Sequence, residues 1–561
     1  MASPDGPAGN IADALIAHAR ARPDAVAMQV ARGGGRFEAL TYGELDRASS
    51  EVAAGLAALG LAPGARAALM VRPGPAFFAL MFGLFRGGFV PVLVDPGIDK
   101  RALHECLGEA DPAAFIGIPI AHVARAVLRW CPGAEFRVTV GRRWFWRGPT
   151  LDDVRAAGRV ALDRGMTLPR TRAEDLAAIL FTSGSTGVPK GVEYRHAEFL
   201  AQVELIRNAF GIRAGETDLA TFPPFALFDP GLGMTSVIPD MDPTRPARAK
   251  PEVLLDTIAR FGVTTMFGSP ALLDTLTRHA DAHALRAPTL MRVLSAGAPV
   301  RPDIVERCYR MLTDGAELWT PYGATECLPV AIVEGREVLA ARASTESGAG
   351  ILVGRPVAPN RVRVIRITDE PIDEWSDDLL VPTGTIGEIT VEGPTTTKAY
   401  FRREQATRLA KIREGAAIVH RMGDVGCFDA DGRLWYVGRK SHRVVTSTGT
   451  LYTEAVEGVF NAHPEVRRSA LVGIGPRGAQ RPVVCIELEA GVPAREWPRI
   501  EGELRALRAR ADCTRALDTF LRHDGFPVDI RHNAKIGREK LAVWAAGRVW
   551  ARSDMHAGRS A

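Results

Sequence analysis

The 561-residue chain predicts an α/β protein. It should have a large N-terminal domain of α/β layers with a small β-barrel-like subdomain, followed by a small α+β C-terminal domain. Three observations carry this reading. Strand-like and helix-like segments alternate from about residue 65 to residue 295, the pattern of a mostly parallel sheet covered by helices. After Gly354 the texture changes to β-branched runs separated by turn residues, as in antiparallel or barrel-like sheets. From about Arg439 the chain makes a last compact unit of its own. The expected domains are therefore 1–438, with the β-rich stretch at about 355–438, and 439–561.

In chain order, residues 11–21 read as a short helix. A second begins after Thr41, which can cap it, with Glu44 three residues on completing a capping box. A βαβ unit follows, with strand 65–71, helix 75–86 and strand 89–94, closed by Asp95-Pro96-Gly97. Its helix is apolar nearly all round and should lie buried between layers. A strand at 114–120, the apolar run 176–180, helices at 197–210 and 253–261, a strand at 264–267, a helix at 271–279 and a strand at 292–295 continue the alternation. Residues 362–367 and 386–391 read as strands of the second texture. The final unit combines a helix at 454–460, strands at 469–473 and 483–488, and an arginine-rich helix at 497–511.

Composition narrows the function. Net charge is +5, from 70 basic and 65 acidic residues spread along the chain, which argues against a nucleic-acid binder with its concentrated basic face. The seven cysteines are scattered without metal-ligand spacing, so neither a disulfide framework nor a zinc site is expected, and a cytoplasmic location fits. The longest apolar run, 76–85, is far short of the ~20 residues needed to span a bilayer. A peripheral membrane contact stays open.

The chemistry centres on Phe181-Thr182-Ser183-Gly184-Ser185-Thr186-Gly187-Val188-Pro189-Lys190-Gly191. A buried strand that empties into a Gly/Ser/Thr loop ending in lysine makes a phosphate cradle. Glycines allow close backbone approach, N–H groups and hydroxyls donate to the anion, and lysine adds charge. It is not a Walker A loop, because Pro189 precedes Lys190. More distant stretches supply what a nucleotide needs. Ser295-Ala296-Gly297-Ala298-Pro299 follows a strand, where small residues admit a flat base. Pro321-Tyr322-Gly323-Ala324-Thr325-Glu326 offers an aromatic face, a hydroxyl and a carboxylate for Mg²⁺. Gly423-Asp424 presents an acceptor for ribose hydroxyls. Gly438-Arg439-Lys440 lies at the junction with the terminal unit, and Lys535 sits in a small-residue loop near the end.

In this order and spacing, these motifs resemble those of the AMP-forming adenylating enzymes, over about residues 11–550. The resemblance implies ATP and Mg²⁺ as cofactors, an acyl-adenylate intermediate and a mobile C-terminal domain. It assigns phosphate binding to Thr182, Ser183, Gly184, Ser185, Thr186, Gly187 and Lys190, and nucleotide contacts to Gly297, Ala298, Pro299, Tyr322, Gly323, Ala324 and Thr325. Asp424 and Arg439 would hold the ribose, Glu326 and Thr186 the Mg²⁺. Lys535, Glu326 and Thr182 would be catalytic.

Further segments are similar to the β-lactone synthetases of bacterial long-chain olefin biosynthesis. They are Val90-Pro91-Val92-Leu93-Val94-Asp95-Pro96-Gly97-Ile98-Asp99-Lys100-Arg101-Ala102-Leu103, Phe222-Pro223-Pro224-Phe225-Ala226-Leu227-Phe228-Asp229-Pro230, Ile238-Pro239-Asp240-Met241-Asp242-Pro243-Thr244-Arg245-Pro246 and Arg531-His532-Asn533-Ala534-Lys535-Ile536. That likeness implies a long-chain 2-alkyl-3-hydroxyalkanoic acid as substrate, and a cis-β-lactone, AMP and pyrophosphate as products. An assembly with the other olefin-pathway enzymes, a reductase and a β-lactone decarboxylase, would be in keeping with it. Phe225, Ala226 and Phe228 are the expected substrate pocket and Ser441 the interdomain hinge. Two departures from the commoner acyl-CoA synthetase pattern bear on any thioester-forming step. Ala226 stands where those enzymes carry a histidine or aromatic, leaving room for a branched α-carbon, and Ser441 replaces the hinge Asp or Lys. A long-chain acyl-CoA or acyl-AMP ligase is the alternative enzyme, and an idle nucleotide-binding scaffold the alternative of another class. No base for ring closure is assigned; His196 qualifies by residue type alone and is better read as structural.

Overall fold

A computed structural model describes residues 9–94, 98–182, 189–528 and 536–557. Asp95-Pro96-Gly97 lies outside them, as do Ser183, Gly184, Ser185, Thr186, Gly187 and Lys535.

Two large sheets with interleaved helices make the N-terminal domain. One has six strands in the order Phe136–Thr139, Ala114–Gly117, Arg66–Met70, Val90–Val94, Leu176–Thr182, Lys190–Arg195. Its neighbours run parallel except for the last pair, an antiparallel hairpin. In the other, strands Glu317–Ala324, Arg292–Leu294, Thr265–Phe267, Thr217–Leu219, Thr235–Ile238 and Val26–Ala31 are parallel neighbours. The antiparallel strands of the β-rich stretch (Ile351–Pro356, Leu434–Arg439, Ala417–Phe428, Gly387–Glu392 and Arg361–Ile365) continue that sheet through Cys327–Glu334.

Local chemistry explains the first elements. Thr41 and Glu44 form the expected capping box at the start of helix Tyr42–Ala58. Helix Pro75–Arg86 is buried at every position from Phe77 to Phe85, and each such large apolar side chain contributes about 1.5–3 kcal/mol. Helix Leu151–Asp163 crosses Tyr42–Ala58 so closely that only glycine fits at the crossing. A Cβ on Gly55 would lie 1.9 Å from the Val154 carbonyl oxygen.

Several boundaries differ from expectation for local reasons. The strand predicted to reach residue 120 stops at Gly117, because Pro119 opens helix Pro119–Leu128 at a position where its missing N–H costs nothing. The predicted helix 497–511 ends at Leu507 and tightens into a 3₁₀ turn, Arg508–Arg510. Helices Lys100–Ala110, Leu151–Asp163 and Pro302–Met311 and the terminal helix Arg538–Ala557 were not anticipated.

After Arg439 the chain leaves the large sheet through the turn Lys440–His442. It then builds a separate three-stranded sheet, Val466–Ile474, Arg481–Leu488 and Phe520–Arg522, flanked by helices. Among the described residues no helix is long and apolar enough to cross a membrane.

Candidate active site

The carboxyl ends of the parallel strands Thr265–Phe267, Arg292–Leu294 and Glu317–Ala324 lie side by side, the edge at which open α/β sheets bind ligands. Residues 295–299 leave the middle strand, fixed where Ser295 N–H donates to the Trp319 carbonyl at 2.9 Å. Gly297 adopts φ +93°, a conformation that favours glycine. Gly297 and Pro299 are exposed and Ala298 half-buried, forming a ledge of small residues. The adjacent strand ends in Tyr322, Gly323 and Ala324 and folds back through Thr325 and Glu326 into Cys327–Glu334. A side chain at Gly323 would collide with the Cys327 carbonyl, 2.8 Å from its Cβ.

Strands Ala417–Phe428 and Leu434–Arg439 pair so that Asp424 faces Arg439. The Tyr322 hydroxyl donates to Asp424 Oδ2 at 2.6 Å, and Arg439 Nε lies 3.1 Å from Oδ1. Asp424 is buried, and its charge keeps the guanidinium firmly protonated. Burial first, then the Asp424 charge, pushes the Tyr322 phenol well up, so it stays a hydroxyl donor. Aromatic, carboxylate and guanidinium groups expected to hold a nucleoside are thus joined directly.

A second cluster forms beside the Gly-rich loop, at the expected phosphate end. Thr182 and Lys190 are partners across the hairpin flanking the Gly-rich loop. A segment from the β-rich stretch docks on that hairpin: Val192 bridges Tyr400, and Phe401 N–H donates to the Gly191 carbonyl at 2.7 Å. This docking places the Tyr400 hydroxyl on Glu326 Oε1 at 2.6 Å and the Tyr400 ring 5.0 Å from Lys190 Nζ. Lys411 is buried on the same ring, 5.9 Å from its centroid. Its ammonium donates to the Thr397 carbonyl at 2.5 Å, while Thr397 N–H donates to the Glu326 carbonyl at 2.9 Å. Burial pulls the Lys411 amine down to about 8, against the opposing pull of the Glu326 charge. Arg439 interacts electrostatically with both Tyr400 and Glu326, so the two clusters face one another across one site.

The other expected residues are placed as follows. Phe225 stacks on Phe267 at 4.3 Å and 14°, and Ala226 is 2% exposed within the main core. Phe228 contacts Phe199, which stacks on Tyr194; the Tyr194 hydroxyl donates to the Thr325 carbonyl. An aromatic chain therefore connects the expected acyl side to the nucleotide side. Ser441 is exposed in the turn after Arg439. Lys535 and loop residues Ser183 to Gly187 lie outside the described residues. Arg538, just beyond Lys535, pairs with Glu457 at 2.9 Å and interacts with Tyr436, three residues before Arg439. His196 is structural: buried, it accepts from Ile11 N–H at 3.3 Å, and burial pushes its imidazole down to about 4.

Sequence reasoning missed Tyr400, Thr397 and Lys411. Tyr400 is placed by its bridge to Val192, some 200 positions earlier, and Thr397 by its bonds to the Glu326 carbonyl, which in turn seat Lys411; the local sequence carries no signal for these contacts.

Residues 15–401 match the family model described as AMP-binding enzyme. The chain belongs to that family. This AMP-binding enzyme is 58% identical over 548 residues to an olefin beta-lactone synthetase of Xanthomonas campestris pv. campestris, covering 96% of this chain and 97% of the relative. It is 57% identical over 552 residues to the Stenotrophomonas maltophilia protein of the same name, covering 96% and 98%. A long-chain-fatty-acid–CoA ligase of Salmonella typhimurium is 28% identical over 491 residues, covering 82% of each chain. Among solved structures, the amide bond synthetase McbA of Marinactinospora thermotolerans superposes with a TM-score of 0.76, 23% identity and coverage of 96% and 99%. The o-succinylbenzoate coenzyme A synthetase of Bacillus subtilis, in complex with ATP and magnesium ion, gives 0.70, 20%, 94% and 98%. These structures share the fold.

Proposed function

We propose that this AMP-binding enzyme is an ATP-dependent β-lactone synthetase. It would convert a long-chain 2-alkyl-3-hydroxyalkanoic acid through an acyl-adenylate to a cis-3,4-dialkyl β-lactone, AMP and pyrophosphate. The observation that carries the reading is the 58% identity to an olefin beta-lactone synthetase along nearly the whole of both chains. The site is in keeping with it. Tyr322, Asp424 and Arg439 form a nucleoside clasp, Lys190 and Glu326 both meet Tyr400, and Thr182 lies opposite Lys190 on the hairpin.

In the first half-reaction one carboxylate oxygen attacks the α-phosphorus of ATP, a P–O bond forms, and pyrophosphate leaves. Both partners are anionic, so cations are needed where charge accumulates. Lys190 supplies one beside Tyr400. Lys535, just before Ile536 and Arg538, is the proposed second. A carboxylate held on the same tyrosine that carries Lys190 suits a hard cation. Glu326, with Thr186, would hold Mg²⁺, which when bound neutralises phosphate charge as a Lewis acid. Tyr400 donates to Glu326 Oε1 and so fixes the carboxylate's orientation.

In the second half-reaction the substrate's own 3-hydroxyl oxygen attacks the activated carbonyl carbon. The C–O bond to AMP breaks, AMP leaves with its electron pair, and the hydroxyl proton passes to phosphate or solvent. Nucleophile and electrophile share one molecule, so the protein need only orient them. We place the boundary of the moving C-terminal domain between Gly438 and Arg439, with Ser441 as hinge. We also assign the enzyme to the cytoplasm, working with the reductase and the β-lactone decarboxylase that would supply its acid and consume its lactone. The test is product analysis with a synthetic 2-alkyl-3-hydroxy acid and ATP, with and without coenzyme A. Lactone and pyrophosphate without any thiol are expected; a product formed only as a thioester would instead assign a long-chain acyl-CoA ligase.

A further inference from the structure

Edge strand Phe136–Thr139 of the six-stranded sheet is flanked by a surface that the reaction above does not use. Of the exposed large apolar side chains among the described residues, Ile120 (59% exposed), Val127 (74%), Trp144 (53%) and Phe145 (85%) belong to it. Ile120 and Val127 are seven residues apart on helix Pro119–Leu128, with half-buried Val123 between them, so they share one face. Trp144 and Phe145 sit on the loop after the edge strand.

The loop is held in place. Trp146 stacks on His122 at 5.2 Å and 22°, and its indole N–H donates to Thr139 Oγ1 at 2.8 Å. His122 is buried beneath the helix, its Nε2 3.0 Å from the Val138 carbonyl oxygen. Trp144 and Phe145 both lean on Trp146, at 5.6 and 5.2 Å. One aromatic ring thus anchors the loop while two others point to solvent. Holding exposed tryptophan and phenylalanine in a fixed outward position serves no purpose in the core.

Charge decides what this surface suits. Between Pro119 and Thr150 lie Arg125, Arg129, Arg137, Arg142, Arg143 and Arg147 against a single carboxylate, Glu135. Next in sequence come Asp152, which is exposed, and Asp153, which is engaged in the capping box of helix Leu151–Asp163. Arg125 turns inward over the buried Phe115 ring, but Arg129, Arg142, Arg143 and Arg147 are exposed. Exposed rings and aliphatic side chains on a segment with this basic excess fit the headgroup boundary of an anionic bilayer: rings partition to the interface while guanidinium groups meet lipid phosphates.

We propose that the helix face Ile120–Val127 and the loop 141–148 form a docking surface for an anionic membrane. The surface is defined by its own side chains, so it can fail or stand independently of the lactone reading. A membrane-stored acyl substrate would give it a use.

The test is flotation of the full-length protein with vesicles of phosphatidylcholine, with or without phosphatidylglycerol. Wild type should float with the anionic vesicles and be released by raised salt. The double variant Trp144→Ser, Phe145→Ser should lose binding at least about tenfold. Each of Arg142→Gln, Arg143→Gln and Arg147→Gln should cost roughly fivefold. Pyrophosphate release on a short, water-soluble acid should be unchanged in all of them, which reports an intact fold. Absence of binding to anionic vesicles, or binding that these substitutions leave alone, would overturn the proposal. So would concentration-dependent self-association, seen by sedimentation without vesicle binding and abolished by the double variant, which would make the surface a contact between copies of the chain.

Discussion

The Tyr322 hydroxyl donates to Asp424 Oδ2 across 2.6 Å, although the two residues stand 102 positions apart. Asp424 is therefore oriented from one side by a phenol and from the other by Arg439, 3.1 Å from its second oxygen. Held this way, the carboxylate has a fixed direction before any nucleotide arrives.

Replacing that carboxylate isolates its charge. Asp424→Asn keeps the volume but removes charge-assisted hydrogen bonds worth about 1.5–3 kcal/mol. Nucleotide affinity, followed by calorimetric titration with ATP, should fall by roughly 10- to 150-fold. Urea denaturation should show a parallel loss of stability, because Arg439 keeps its charge and loses its partner. An unchanged titration would remove Asp424 from the nucleotide site.

Lys411 makes a pH prediction. Its amine falls from 10.5 in the unfolded chain to about 8 in the folded one, so between those values the unfolded state binds more protons. Stability contributed through this residue must then rise with pH across that window and be flat below it. Comparing urea denaturation of wild type and Lys411→Met from pH 7 to pH 10 cancels the tyrosines and cysteines. The wild type should gain relative to the variant as pH increases. A constant difference would mean that the amine is not desolvated.

The turn at 440–442 tests the second half-reaction. Lys440 is tied to Glu388 at 2.9 Å, and Glu388 to Arg421 at 2.7 Å with both side chains 1% exposed. Beyond Ser441, Arg443 pairs with Asp369 at 3.0 Å, so the β-rich stretch holds the chain on both sides of Ser441, the proposed pivot. An intramolecular hydroxyl needs no large domain rotation to reach the adenylate. Ser441→Pro should then leave lactone turnover within about threefold, whereas a thiol-dependent step gated by domain movement would slow far more. Single-turnover kinetics that separate pyrophosphate release from lactone formation would tell the two apart.

What was legible in the sequence follows the range of the interactions. The Thr41–Glu44 capping box and the buried helix Pro75–Arg86 are local and were read correctly. Asp424, Arg439 and Tyr322 could be picked out because each sits in a short characteristic motif. Their hydrogen bond could not, since it depends on the strand order of a 14-stranded sheet. Tyr400 and Lys411 lie in no motif that the sequence singles out. Only docking of their segment on the Val192 strand turns them toward Glu326. The terminal helix Arg538–Ala557 was missed although Leu541, Ala545 and Val549 recur at helical spacing and are buried together. Its packing against strand Val466–Ile474 comes from tertiary context.

The most direct test follows oxygen atoms through the reaction. With a 2-alkyl-3-hydroxy acid labelled with ¹⁸O in both carboxyl positions, attack by the carboxylate on ATP must carry one label into AMP. Ring closure by the unlabelled 3-hydroxyl must leave the other in the lactone carbonyl. Mass spectrometry should find singly labelled AMP and singly labelled lactone in equal amounts, without coenzyme A. Unlabelled AMP with a doubly labelled lactone would mean that the hydroxyl, and not the acid, was activated, and would contradict the account.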